Sequence, residues 1–341
     1  MLRQFRGTLI FTLLCLIAAA GYGWYDTHSF EATASLVWIV LVLAVLEISL
    51  SFDNAVVNAK ILSEMEPIWR QRFLTWGMVI AVFGMRIVFP LVIVAVAAQL
   101  GPMAALKLSL QEPERYEVLL RGAHISIAGF GGAFLLLVGI SFFFNSDKQV
   151  HWLGWVERRM SSVGGLKAVE YAVVLLALYG VARLLPDAQA LSLLVSGIMG
   201  MLCFIAVEAV NSLLSMGASS SARTGLGAFI YLNVLDASFS FDGVIGGFAL
   251  SNNMIVIALG LAIGAMFVRS LTIMLSDHGV LADYVYLEHG AFWAIIALGV
   301  NMLLSARYDI PDSLTGLLGA GFILLSLIWS IRHRRRSAQQ S

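Results

Sequence analysis

Leu46-Glu47-Ile48-Ser49-Leu50-Ser51-Phe52-Asp53-Asn54 and Leu235-Asp236-Ala237-Ser238-Phe239-Ser240-Phe241-Asp242-Gly243 are one pattern written twice: acid, x, Ser, x, Ser, Phe, Asp. Each copy lies inside an apolar run near or above the ~20 residues that a helix needs to cross a bilayer. The match continues into the next apolar run, where Gly77, Ile80 and Arg86 keep the mutual spacing of Gly260, Ile263 and Arg269. His124 and Gly139 in one half, and His289 and Gly299 in the other, extend it loosely. A three-helix unit is thus duplicated, repeat A over about 34–144 and repeat B over about 226–306.

Composition explains what surrounds the repeat. Apolar residues make up 60% of the chain and charged ones 12%, with mean hydropathy +0.88, whereas soluble domains carry about 25% charged residues. Apolar runs between polar breaks predict ten spans, near 8–24, 34–62, 73–100, 122–144, 168–185, 190–215, 226–250, 253–276, 290–306 and 314–331. The expected fold is therefore an all-α, polytopic transmembrane bundle forming one domain over residues 1–341. With the N-terminus inside, fourteen of the basic residues fall in cytoplasmic segments and five outside, the remaining two, Arg86 and Arg269, being intramembrane. That is the positive-inside pattern, and an even number of spans puts both termini in the cytoplasm. The first run, Leu9 to Ala20 behind Arg3 and Arg6, also has the charge order of a signal peptide, but the count of spans favours a helix. Zero net charge argues against a nucleic-acid partner, and Cys15 and Cys203, both inside apolar runs, suit buried packing rather than a disulfide.

The second and seventh spans are an odd number of crossings apart, so the two copies traverse the bilayer in opposite senses. Inverted repeats of this kind are common in secondary transporters, which hold substrate near the midplane and alternate access by rocking one repeat against the other.

A carboxylate at the bilayer centre costs at least a few kcal/mol even on lenient insertion scales. The repeat carries four: Glu47, Asp53, Asp236 and Asp242. Ser51, Ser240, Asn54 and Asn233 add neutral oxygens, an all-oxygen set that suits hard divalent cations and not thiolate-bound zinc or copper. Acids six residues apart on a regular helix point about 120° away from one another, so the reading expects both motif helices to kink or break at the aspartate and offer carbonyls as further ligands. Asn233 and Asp236, three apart, share a face. Arg86 and Arg269 balance two of the four charges, leaving a formal −2 that a divalent ion or two protons would cancel.

Blander roles compete with these. Asp53–Arg86 and Asp242–Arg269 are also readable as structural clasps between helices, although the duplicated second acid tells against a purely structural role. Glu208 with Asn211 is either a helix–helix pair or an outer contributor to the site. His124 and His289 read as interfacial or satisfied core residues, and Glu170 as a boundary residue that snorkels or pairs near Lys167. A membrane hydrolase built on Glu288 and His289 lacks a second histidine at ligand spacing within its span and a serine with a base in register. No enzyme and no resident cofactor is expected.

At Glu47–Asn54 and Asp236–Asp242 the sequence resembles the TerC family of integral membrane proteins, named for tellurite resistance, and within it a branch designated a domain of unknown function. The likeness runs from about Ser35 to the tenth span. It implies a bacterial inner-membrane protein with an inverted repeat, related to the lysine-exporter superfamily, whose better-understood members are similar to manganese exporters. By that likeness Glu47, Asp53, Asn54, Asp236 and Asp242 are the transport residues. Where the family often has a glutamate three residues before the first acid of the second motif, this chain has Asn233. The expectation is export of a divalent cation, Mn²⁺ foremost, in exchange for protons, with the metal ion and the lipid bilayer as its partners. The alternatives are an exporter of a small amino acid or other organic solute, and a membrane scaffold in tellurite or envelope stress.

Overall fold

A computed structural model describes residues 2–77, 79–145, 150–163, 167–217, 225–248, 250–251, 253–277 and 284–338. Regular structure among them is entirely helical. The helices are α1 (Leu2–Thr27), α2 (Phe30–Leu50), α3 (Phe52–Glu64), α4 (Pro67–Arg72), α5 (Phe89–Ala97), α6 (Pro102–Gln111), α7 (Pro113–Gly122), α8 (His124–Phe143), α9 (Gly154–Val163), α10 (Lys167–Ala182), α11 (Asp187–Gly217), α12 (Gly225–Phe248), α13 (Met254–Asp277), α14 (Leu287–Ser305) and α15 (Asp312–Ala338). Between α4 and α5 the chain winds as a π-helix over Phe73–Gly77 and Ile80–Val88.

Every expected span has a helix in place, yet only eight, among the described residues, are long and apolar enough to cross a membrane on those grounds alone. The expected span at 168–185 is a shorter apolar helix, and α12, with Asn233, Asp236 and Asp242 along it, is the other that falls outside the eight. The segments expected as loops after the third and fourth spans hold the short helices α6, α7 and α9.

The chain forms two compact units. The first comprises Met1–Ser51, Arg70–His124 and Phe239–Met274; the second Phe52–Trp69, Ile125–Ser238 and Leu275–Ser341. The chain passes from one unit to the other inside both motifs, at Ser51/Phe52 and at Ser238/Phe239.

In the first unit α1 and α2 pair as a hairpin. His28 turns the chain at φ 48° and Ser29 caps α2 by accepting from the Ala32 amide. Thr8 hydrogen-bonds Ser270 at 2.6 Å, and Phe11 packs on Val82, Ala262 and Ala265. Lipid is as apolar as these side chains, so helices here associate through close packing and hydrogen bonds rather than hydrophobic burial. Gly260 and Gly264 serve that end: a Cβ on Gly260 would press Leu43 and the Val40 carbonyl, and one on Gly264 would meet Glu47 and the Ala44 carbonyl, so α13 runs backbone-close along α2.

In the second unit α14 packs on α15 and on α3. Gly132 and Gly139 of α8 lie against α14, and Gly299 of α14 lies against Leu136 and the Gly132 carbonyl. The third helices of the two repeats thus pack on each other through the very glycines that the sequence aligned only loosely. Helix α3 is buried nearly all round, with Ala55, Val56, Val57, Ala59 and Leu62 each at most 1% exposed.

Candidate functional site

The first motif breaks its helix as expected, though two residues before the aspartate. α2 ends at Leu50; Ser51 leaves helical geometry at φ −104°, ψ 15°, its amide bonding the Glu47 carbonyl, and α3 starts at Phe52. Serine competes with the backbone for hydrogen bonds, and here the hydroxyl is given to a carboxylate: Ser51 Oγ donates to Glu47 Oε1 at 2.9 Å. The second motif corrects the expectation. Helix α12 continues from Gly225 through Phe248 without interruption, so the glycines after Asp242 are tolerated inside a helix whose sides are packed.

Within the first unit Glu47 is 2% exposed and forms an ion pair with Arg86, which is also buried. Arg86 Nη1 donates further to the Ala81 carbonyl at 2.5 Å, five residues back along the π-helical stretch. A π-turn bonds i to i+5, as the Phe89 amide does with the Gly84 carbonyl. Arg86 is thereby directed to Glu47; the Asp53 side chain of the clasp reading lies outside the described residues. Opposite the carboxylate stands the second motif: a Cβ on Gly243 would come within 2.6 Å of Glu47 Oε2. Arg269, the counterpart of Arg86, donates from Nε and Nη2 to the Leu74 carbonyl at 3.1 and 2.7 Å.

Within the second unit the half-buried Asp236 meets the first motif. Asn54 Nδ2 and Asn58 Nδ2 both donate to Asp236 Oδ1, at 2.8 and 2.9 Å. The asparagines are four apart on α3 and so share a face; both are buried. In sequence Glu47 corresponds to Asp236, and Asn54 to Gly243. The contacts are reciprocal: the first acid of each copy meets, in the other copy, the residue that follows the second acid.

The other expected residues sort as follows. Asn233 turns its amide to the Phe229 carbonyl of its own helix at 2.7 Å, satisfying its donor within α12. Glu208 accepts from Tyr171 at 3.4 Å in the second unit. Glu170 is buried, which fits the pairing and not the snorkelling alternative. His289 is a core residue, its Nε2 2.9 Å from the Val150 carbonyl. The side chains of Asp53, Asp242, Ser240 and Asn211 lie outside the described residues; their backbones are helical, Asp53 in α3, Asp242 and Ser240 in α12 and Asn211 in α11. Among the described residues no three His, Cys, Asp or Glu side chains converge as a metal cluster.

Two contributors escaped the sequence reading. Asn58 was legible as the second asparagine of Asn54-x-x-x-Asn58, one helical turn on. Gly264 was legible as the end of Gly260-x-x-x-Gly264, a spacing that brings helix backbones together.

No curated protein and no solved structure matches the chain. The sequence profile of DUF475, described as a protein of unknown function, matches residues 52–337, taking in Asp53, Asn54, Asn58, Asp236 and Asp242 and beginning just after the helix break at Ser51. That match covers most of the 341 residues, and the chain belongs to the DUF475 family.

Proposed function

We propose that the chain is a membrane transporter that exports a divalent metal cation, Mn²⁺ foremost. The observation that carries the reading is the pair of buried amides on Asp236. A carboxylate in the apolar depth of a membrane protein is costly, and here it accepts from Asn54 and Asn58, two buried amides one helical turn apart that orient it. Amide and carboxylate oxygens are the donors that hard divalent ions take. Glu47 plays a different part: its charge is met by Arg86 and its geometry fixed by Ser51, so it shapes the first unit around Gly243. The reciprocal contacts of the two motifs accord with an inverted repeat, the architecture of many secondary transporters. The resemblance of both motifs to the TerC family supports manganese and an outward direction, and protons taking the place of the ion on the carboxylates would complete the exchange.

The test is total metal content and Mn²⁺ tolerance of bacterial cells lacking their own manganese exporter. Expression of the chain is expected to lower cell manganese and restore growth in Mn²⁺, and Asp236→Asn or the Asp53→Asn, Asp242→Asn pair to abolish both effects at equal membrane abundance. No change in any divalent metal on expressing the wild type overturns the cation reading and leaves solute export, tested by a requirement for Arg86 or Arg269 without metal dependence, as the reading to pursue.

A further inference from the structure

We propose that the open hollow at the start of α9, about 460 Å³ and lined by Gly154, Trp155, Arg158 and Arg159, seats the phosphate-bearing headgroup of an anionic phospholipid. Glu157 is buried and ties α9 to α14 through the Trp293 indole. Trp155 and Arg159, four apart, share a face on the opposite side of the helix, and both are exposed, as is Arg158. Trp155 is 71% exposed, with the Arg159 guanidinium 4.4 Å from its ring centre. Neither guanidinium hydrogen-bonds or ion-pairs with any of the described residues.

Those unmet charges choose the ligand. A guanidinium is a planar fork of N–H donors that matches a phosphate two bonds at a time, so two of them around one hollow take an oxyanion. The indole beside them separates a lipid from a free phosphate: an exposed tryptophan collects at the membrane interface, its amphipathic ring at headgroup level, and the exposed Leu153 extends the apolar edge. In the chain α9 lies between the apolar helices α8 and α10. In the same unit the Trp152 ring stands edge-on to Trp329 at 6.3 Å, and the Arg332 guanidinium is 6.0 Å from the Trp329 ring. The start of α9 thus adjoins the basic end of α15. The positive-inside pattern assigns both to the cytoplasmic leaflet, whose anionic lipids attract arginine. The site is independent of the transport reading.

The experiment takes the purified full-length chain in neutral detergent and adds phosphatidylglycerol, phosphatidylcholine or inorganic phosphate, counting retained lipid by native mass spectrometry and following the unfolding midpoint. Wild type is expected to retain phosphatidylglycerol in preference to phosphatidylcholine and to be stabilised by it, with no effect of inorganic phosphate. The Arg158→Gln, Arg159→Gln pair is expected to lose about five-fold in phosphatidylglycerol affinity per arginine, the weight of one basic residue near an anionic surface. It should keep wild-type stability in detergent alone, because Glu157 holds the helix from its other face. The Arg158→Lys, Arg159→Lys pair keeps the charge but not the fork and is expected to recover only part of the lost affinity. Should the glutamine pair fail to fold, the lysine pair decides. Equal phosphatidylglycerol retention by wild type and the glutamine pair overturns the proposal. Full retention by the lysine pair overturns it in favour of diffuse attraction, and equal stabilisation by inorganic phosphate in favour of a free-anion site.

Discussion

Gly243 lies against Glu47, so close that a methyl group built on the glycine would stand 2.6 Å from the Oε2 oxygen. The carboxylate cannot simply swing away, because its Oε1 holds both the Ser51 hydroxyl and the Arg86 guanidinium. Overpacking a tight interior costs about 1–3 kcal/mol. Gly243→Ala is therefore expected to lower the unfolding midpoint in nanodiscs, and adding Glu47→Asp, one methylene shorter, to return part of the loss. A Gly243→Ala chain as stable as wild type would show that Glu47 is looser than its partners imply.

The Glu47–Arg86 pair makes a sharper prediction. Both side chains are buried, and removing one partner of such a pair strands the other charge, a cost of about 3–5 kcal/mol, while replacing both by apolar groups is often near neutral. Arg86→Leu and Glu47→Leu are each expected to destabilise strongly, and the double variant to lose far less than the two together. Denaturation of the four chains in one detergent gives the coupling. Additive losses would mean that the two groups are held independently.

The fold class was legible because hydropathy and charge order are coarse signals: a run of apolar residues closed by arginines needs no tertiary detail to be read. The repeat was legible for the same reason, its acids being too costly in lipid to be accidental. Pairing between elements was another matter. Arg86 could have been matched to either acid of its half by spacing alone; its ion pair with Glu47 comes from a stretch, Ile80–Val88, whose π-helical winding shifts the phase of its side chains and has no signature in composition. The uninterrupted α12 was misread because glycine lowers helix propensity, while tertiary packing decides the outcome: Gly243 is small so that Glu47 can stand beside it, not so that the helix can break. Asn58 was passed over because the motif seemed to end at Asn54, although helical periodicity carries the same face one turn further.

Glu157 shows how much sat in a segment expected to be loop. Its carboxylate, almost fully buried, accepts the Trp152 amide at 2.8 Å on Oε2 and the Trp293 indole N–H at 3.0 Å on Oε1, with His289 Nε2 3.6 Å and His151 Nδ1 3.9 Å from Oε2. One side chain thereby ties α9 to α14 in the second unit. Glu157→Leu leaves two half-buried donors without their acceptor, each costing about 1 kcal/mol or more. Glu157→Gln keeps one carbonyl oxygen but turns an amide N–H toward a donor, so it is expected to fall between leucine and wild type. Amide hydrogen exchange across Gly154–Val163 reads the effect locally: exchange should accelerate in the order wild type, glutamine, leucine. Because Arg158 and Arg159 follow Glu157 directly and are exposed on the same helix, their alanine variants provide the control and should leave exchange unchanged. Equal acceleration by those variants would show that α9 is held by its exposed face and not by the buried acid.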